Sequence, residues 1–548
     1  MLRLTWVQPE DLIGHELRQA AQDGRDASAV ASRWVAAGGH LAPDRAGASA
    51  TPAPPELRSL AEHLLDELAA LASPLPEPTA LSAIESATKT PPPPHPFPKV
   101  LPDGPPQSPA GLKDQPLRRL RSSAPEDDQP QPPQPLRQLG SSAPEAEQPQ
   151  PPQPRSGTRG SGGPGAEQPG HFQPRSGTRG SGVRGGAPVS GRGGVGEESL
   201  LLDRLHAAWL GRAVGCLLGK PVEKLPLEGI RAIARSTGNW PLSGWFTERN
   251  LDPAVAAAHP WNRRSAPTSL AENINGMPED DDLNYPLLAL LLIQRHGTDF
   301  TTADVAKLWL DELPAGRTFT AERIAYRNLL TGLEPPHTAT HRNPFREWIG
   351  AQIRADVFGW IAPGDPARAA RLAHRDAVLT HTANGVYGAM FTAATIATAA
   401  TGTADVHTAL QSGLAVVPPQ SRYATAINLG VELAAKHPDF DTVVDELHAA
   451  YADHHWVHVL PNAALLAAAL THADGDFEGS ICRAVSGGWD TDSNGATAGS
   501  IAGLLAGHPE ALGDRWTHPL KNRLSTSVAG FDGIGFDELA RLTLEART

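Results

Sequence analysis

Three oxygen-bearing side chains lie close together near residue 490 and could bind a metal ion. Asp490, Asp492 and Ser493 come directly before a glycine-rich apolar run, so we expect them at a loop-to-helix junction. Carboxylate and hydroxyl oxygens are the ligands that hard divalent cations prefer. One acid or hydroxyl would also serve as a helix cap. Capping does not account for three such residues together, so the pattern favours a metal site.

A second acidic cluster occurs more than two hundred residues upstream, over residues 279–282. A run of charges is ordinarily a solvated surface feature. This run, however, lies between a turn-forming Gly-Met-Pro at residues 276–278 and the apolar residues 287–293. The carboxylates are therefore expected at the edge of a core, where unneutralised charge is costly. A bound cation would relieve their repulsion.

The late cluster needs a rigid element behind it. Residues four apart share one face of an α-helix, so a glycine at every fourth position predicts a helix with a bare stripe. A neighbouring backbone can approach such a stripe closely. The stripe comprises Gly495, Gly499, Gly503 and Gly507.

Together the two clusters resemble the motifs of the ADP-ribosylglycohydrolase family. The late motif, Gly-x-Asp-Thr-Asp-Thr/Ser, matches residues 488–493, and the early Thr-Asp-Asp-Thr aligns with residues 280–283. Here Asp280 and Leu283 replace the two threonines. Sliding the alignment by one residue would instead use residues 279–281 and disturb the apolar register. The resemblance implies two divalent cations, Mg²⁺ or Mn²⁺, with the ligands Asp280, Asp281, Asp282, Asp490, Asp492 and Ser493.

The resemblance extends to an opening helix and a catalytic acid. Residues 203–223 are similar to the family's first helix, with glycines at 211, 215 and 219 and Glu223 just beyond its end. The resemblance implies that Glu223 reaches the metal site, although Pro221 could simply end the helix and leave Glu223 solvated. The implied catalytic acids are Asp281, Asp282 and Glu223.

Further residues are candidates for binding the substrate. Glycines before the late acids let a diphosphate approach backbone N–H groups, with the upstream asparagines as the alternative. Trp489 could form a wall for the ribose or pack inward. The resemblance brings in His381 and Asn384, which face the substrate or satisfy buried polar groups. The substrate-binding candidates are Ser486, Gly487, Gly488, Trp489, Asn273, Asn275, His381 and Asn384.

The function implied by the resemblance is metal-dependent hydrolysis of the bond between ADP-ribose and an acceptor. The partner is then an ADP-ribosylated protein or a small ADP-ribose conjugate. The altered early motif keeps a second interpretation open, because the family also includes a crystallin offshoot. In that interpretation the chain is a catalytically inactive, ADP-ribose-binding or crystallin-like module.

Composition divides the chain into three parts. Residues 88–198 hold 25 of the 53 prolines in repeated low-complexity segments, which predicts a disordered linker. Residues 1–87 show helical periodicity and predict a small helical domain of unknown role. Residues 199–548 have Ala- and Leu-rich helical windows and predict an all-α catalytic domain that resembles the family fold.

Charge and cysteine content exclude several classes of protein. The net charge of −13, and a linker with 13 basic against 10 acidic residues but no Trp or Tyr, argue against nucleic-acid binding. No signal peptide or membrane-length apolar stretch is apparent. Two cysteines in 548 residues fit a reducing compartment, so we expect a cytoplasmic protein. His454 and His458 have a spacing used by zinc sites, but no third ligand is evident.

Overall fold

The computed structural model describes residues 7–41, 46–49, 51–89 and 194–547, and helices dominate these ranges. Within them, β-pairing is confined to two isolated bridges, Met277 with Leu524 and Trp348 with His458. The predicted all-α fold class is confirmed. The predicted linker falls outside the described residues except at its two ends. None of the described helices combines the length and apolarity that a membrane span requires.

The N-terminal segment (described residues 7–89) contains α1 (Pro9–Gln22), α2 (Ser28–Ala36), α3 (Pro55–Ala69) and α4 (Leu81–Ala87). The helical domain (residues 194–547) begins with α5 (Gly194–Gly219), α6 (Leu227–Ser236), α7 (Pro253–Ala258), α8 (Ala266–Ser269), α9 (Asp281–His296), α10 (Thr302–Glu312), α11 (Thr320–Leu330), α12 (His337–Thr340) and α13 (Asp356–Trp360). It continues with α14 (Pro366–Ala377), α15 (Ala383–Ala399), α16 (Val406–Leu414), α17 (Arg422–Lys436), α18 (Phe440–Ala450), α19 (Val459–His472), α20 (Phe477–Ser486), α21 (Thr491–Ala506), α22 (Asp514–Thr517) and α23 (Phe536–Glu545).

The N-terminal segment and the helical domain belong to one compact unit. Ion pairs between them are largely buried: Arg346 binds Glu16 at 2.8 Å and Asp23 at 3.1 Å, and Arg422 binds Glu77 at 2.6 Å. Buried charges need such partners, because an unpaired charge in a core is costly. The segment that composition set apart from the rest therefore packs on the helical domain.

Helices α5 and α21 pack with their backbones in contact. A Cβ on Gly211 or Gly215 would overlap the carbonyl of Gly499 or Gly495, closer than real Cβ atoms approach any neighbour. The predicted close approach along the glycine stripe is confirmed for α21. Gly507 is the exception, since it ends α21 in a left-handed conformation with φ +81° and meets no neighbour within 4 Å.

Each acidic cluster lies at the start of a helix, and hydrogen bonds at these two helix starts position the acids. Thr491, the first residue of α21, donates its hydroxyl to the carbonyl of Gly219 at the end of α5, at 2.8 Å. The late acids therefore lie beside the turn that leads to Glu223. The early cluster begins α9, where Asp280 caps the helix by accepting from the backbone N–H of Asp282 at 2.9 Å.

Candidate active site

The two acidic clusters converge on one site. The Ser493 hydroxyl donates to Asp282 Oδ2 at 3.3 Å, which joins the start of α21 to the start of α9. Oxygens of Asp280 and Asp282 and the sulfur of Cys216 lie within 4.8 Å of one another. The convergence on which the metal interpretation depends is therefore present.

Crowded carboxyl groups dominate the electrostatics of this site. Burial, and then the charge of Asp280, raise the pKa of both Asp281 and Asp282 well above the usual value. Burial and the neighbouring Asp492 do the same to the pKa of Asp490. The pKa of Asp492 is raised to about 7 by burial and by the charges of Glu223 and Asp280. Because these carboxyl groups are buried close together, the negative charge of one disfavours ionisation of the others.

The residues present fit a divalent cation. The converging acids offer oxygen donors from two rigid helix starts, and their mutual repulsion is what a bound cation removes. Mg²⁺ and Mn²⁺ both take such oxygen ligands.

Lys220 is a member of the site that sequence reasoning missed. Its ammonium group donates to Asp280 Oδ2, and both side chains are less than a tenth exposed. Burial opposes ionisation of Asp280, but the charge and hydrogen bond of Lys220, together with the backbone N–H of Asp282, outweigh it and lower the pKa of Asp280. The available signal was a lysine between the apolar end of α5 and a proline. A charge in such a place calls for a partner.

Arg212 was also missed, although its position in an apolar helix indicated a buried ion pair. Its guanidinium is fully buried and donates to the Asp282 carbonyl at 2.7 Å and to Asp282 Oδ1 at 3.3 Å. It also binds Asp356 at 3.0 Å. Arg212 thereby holds both the carboxylate and the backbone carbonyl of Asp282 in place.

Asn462 holds the start of α21 in place through hydrogen bonds. Its amide oxygen accepts from the Asp490 backbone N–H at 3.1 Å and from Asn494 Nδ2 at 2.7 Å. Its Nδ2 donates to the carbonyls of Trp456 and His458, both at 2.8 Å. His458 is the N-cap residue of α19, so His454 and His458 do not share a helix face as a zinc pair would.

Glu223 lies at the edge of the acidic clusters. Its two oxygens bind Asn262 Nδ2 at 2.9 Å and Lys224 Nζ at 2.5 Å, and its side chain is 18% exposed. Its charge contributes to the raised pKa of Asp490 and Asp492. Glu223 is therefore near the acids, with access to solvent.

The glycine loop before the late acids is shaped by packing. Gly487 abuts the Leu465 side chain, and its carbonyl is hydrogen-bonded to His448 Nε2 at 2.8 Å. Gly488 adopts φ +82°, which favours glycine. The Ser486 hydroxyl donates to the carbonyl of Arg483 at 3.3 Å.

Trp489 is buried and stacks on His448, with ring centroids 4.0 Å apart. The same two rings, with Lys224, Arg231 and Trp456, line a groove of about 1050 Å³. Trp489 therefore packs inward and also borders this groove, while its role as a wall for the ribose stays a prediction.

The remaining substrate-binding candidates make structural contacts. Asn273 Nδ2 donates to the Ala266 carbonyl at 3.0 Å, and Asn275 Oδ1 accepts from Lys521 at 2.6 Å. His381 is fully buried and is hydrogen-bonded to the Thr380 hydroxyl at 2.6 Å.

Asn384 binds the N-terminal segment. Its Nδ2 donates to carboxylates of Glu77 and Glu347, both at 2.8 Å, and its oxygen accepts from the Tyr423 N–H. For His381 and Asn384 these contacts agree with the predicted alternative, in which they satisfy buried polar groups. None of these contacts involves an acid of the two clusters.

Comparison with known proteins supports one family. A protein-family model described as ADP-ribosylglycohydrolase matches residues 197–547, which is more than half of the chain. No curated protein matches significantly. A solved structure described as "ADP-ribosylglycohydrolase-related protein complex" is 20% identical with a TM-score of 0.39, and the match covers 64% of this chain and 98% of that one.

Proposed function

Since the chain belongs to the ADP-ribosylglycohydrolase family, we propose that it uses divalent cations to hydrolyse the bond between ADP-ribose and an acceptor. The family acts on ADP-ribose linkages, and its members generally depend on divalent metal ions. The observation that carries the proposal is the hydrogen bond from Ser493 to Asp282, which brings two acidic helix starts into one centre. The substrate is an ADP-ribosylated protein or a small ADP-ribose conjugate.

The residues that would hold metal are Asp281, Asp282, Asp490, Asp492 and Ser493. Mg²⁺ or Mn²⁺ bound there supplies positive charge that polarises water and binds ribose oxygens. Asp282 is suited to a fixed ligand role, because Arg212 and Ser493 already orient its carboxylate. Asn462 orients the Asp490 backbone by accepting a hydrogen bond from its N–H.

In the proposed reaction, water attacks the anomeric carbon of ADP-ribose and the acceptor leaves with the bonding electron pair. Glu223 accepts the proton from that water, because it lies beside the acids and its side chain is partly exposed, whereas Asp282 is buried. The acidic clusters stabilise positive charge on the ribose ring as the acceptor departs.

A second candidate function is binding of ADP-ribose without turnover. It is favoured by the departure at the early motif, where Asp280 is bound by Lys220 and Leu283 is fully buried. In that case the protein still binds ADP-ribose but does not catalyse hydrolysis of its bond to an acceptor.

Turnover of defined conjugates separates the two functions. The full chain is incubated with ADP-ribose linked to arginine, serine, a carboxylic ester or a nucleobase, with Mn²⁺ or Mg²⁺, and free ADP-ribose is measured by chromatography. We expect release from at least one conjugate, and loss of release when a chelator removes the metal. Binding measured by calorimetry for a conjugate, with no release from any of them, would establish the second function instead.

A further inference from the structure

An ammonium group is built into the acidic centre. Lys220 lies in the 3₁₀ turn Lys220–Val222, which follows α5 directly and leads to Glu223. Its side chain is 9% exposed and its ion-pair partner Asp280 is 7% exposed, so water screens neither charge well. The Lys220 ammonium is therefore a positive charge held in one place within the acidic centre, unlike that of a mobile surface lysine.

Both oxygens of Asp280 are already engaged. Oδ2 accepts from Lys220, and Oδ1 accepts from the backbone N–H of Asp282, which caps α9. A metal ion bound to Asp280 would share this carboxylate with the Lys220 ammonium, and the two positive charges would repel each other. The sequence alignment placed Asp280 among the ligands, whereas its contacts assign it to Lys220.

The early motif therefore offers fewer metal ligands than the alignment predicts. Leu283, at the position of the second hydroxyl, is fully buried and has no donor atom. With Asp280 bound to Lys220, only Asp281 and Asp282 remain from the aligned motif, residues 280–283. Mg²⁺ and Mn²⁺ prefer a complete oxygen shell, so a loss of two donors weakens one binding position in particular.

We infer that this centre binds one divalent cation, and that the Lys220 ammonium takes the place of a second. The inference rests on the proposed function, because it concerns the metal centre that this function uses. The Asp280 carboxylate and the Lys220 ammonium form a neutral pair, so the two residues replace a hydroxyl and a metal ion together.

Counting bound Mn²⁺ tests the inference without any substrate. The full chain is saturated with Mn²⁺, separated from free metal by equilibrium dialysis, and analysed for metal per chain and by electron paramagnetic resonance. We expect one Mn²⁺ with the spectrum of an isolated ion. Two ions per chain at this centre, or none, would overturn the inference.

A paired variant tests the role of Lys220. Lys220→Gln with Asp280→Thr removes both charges, so neither is left buried without a partner, and threonine can still cap α9. We expect this variant to bind a second Mn²⁺ and to show a spin-coupled spectrum. The matched control, Lys307→Gln with Asp311→Thr, removes an exposed ion pair on α10 and should still bind one. A folded double variant that still binds one Mn²⁺ would refute the role of Lys220.

The count also separates this inference from the proposed function. One Mn²⁺ per chain with no release of ADP-ribose would contradict the proposed function and support the inference. Two Mn²⁺ per chain with release of ADP-ribose would support the proposed function and contradict the inference. If the double variant fails to fold, the count on the unaltered chain still decides the number of ions.

Discussion

Replacement of Gly215 by alanine should separate helices α5 and α21 and disturb the centre. A Cβ at Gly215 would overlap the backbone carbonyl of Gly495, and backbone cannot rotate away as a side chain does. Overpacking of this kind costs about 1–3 kcal/mol. Gly196 is the matched control on the same helix, because its Cβ would meet nothing within 4 Å. Alanine gains helix propensity of about 0.5–1 kcal/mol in a helix interior, which offsets part of the cost at Gly215 and acts less at Gly196 in the first turn of α5.

The assay is urea unfolding followed by circular dichroism, with Mn²⁺ affinity measured by calorimetry on the same variants. Gly196→Ala should match or slightly exceed the unaltered chain in unfolding midpoint, and Gly215→Ala should fall below it by the equivalent of about 1–3 kcal/mol. Mn²⁺ binding should weaken only in Gly215→Ala, since the end of α5 is tied to the first residue of α21. Equal midpoints and equal affinities for the two variants would refute the packing argument.

Three further predictions follow from the buried charges. Burial and the charges of Glu223 and Asp280 raise the pKa of Asp492 to about 7. Since a metal ligand must be ionised, the proposed role of Asp492 predicts that Mn²⁺ affinity falls about tenfold or more from pH 8 to pH 6; calorimetry that shows no change would contradict this. Arg212→Met leaves Asp282 buried without its ion-pair partner and should lower stability by about 3–5 kcal/mol, so an unchanged unfolding midpoint would refute the assigned role. Glu77→Gln removes one of the charges that join the N-terminal segment to the helical domain. After proteolysis of the predicted linker, the two fragments should therefore separate at a lower urea concentration in the variant than in the unaltered chain; separation at the same concentration would argue against a contribution from this ion pair.

The parts of the site that could be predicted are those encoded locally. The late acids and the glycine stripe occur within one short stretch, and a period of four residues translates directly into a helix face. The early acids were found for the same reason, since a charge run next to an apolar run is visible in the sequence. The Ala- and Leu-rich windows at residues 389–400 and 463–470 predict helix, and they fall in α15, which ends at Ala399, and in α19.

The parts that could not be predicted depend on how distant helices cross. Lys220 meets Asp280 across 60 residues, and Arg212 meets Asp356 across 144. No local pattern encodes such pairs; an isolated charge in an apolar helix indicates only that some partner exists. Asn384 illustrates the same limit, because its partner Glu77 lies in the N-terminal segment, 307 residues away.

The central claim is tested most directly by release of ADP-ribose from a conjugate that the unaltered chain cleaves, measured with Mn²⁺ for two variants. Asp490 and Asp476 are the N-cap residues of consecutive helices, α21 and α20, and asparagine caps a helix as well as aspartate does. Asp476→Asn should therefore release ADP-ribose at the unaltered rate. Asp490→Asn should release it about a hundredfold more slowly or not at all, because the proposed metal ligand has lost its charge. Equal release by the two variants would contradict the account.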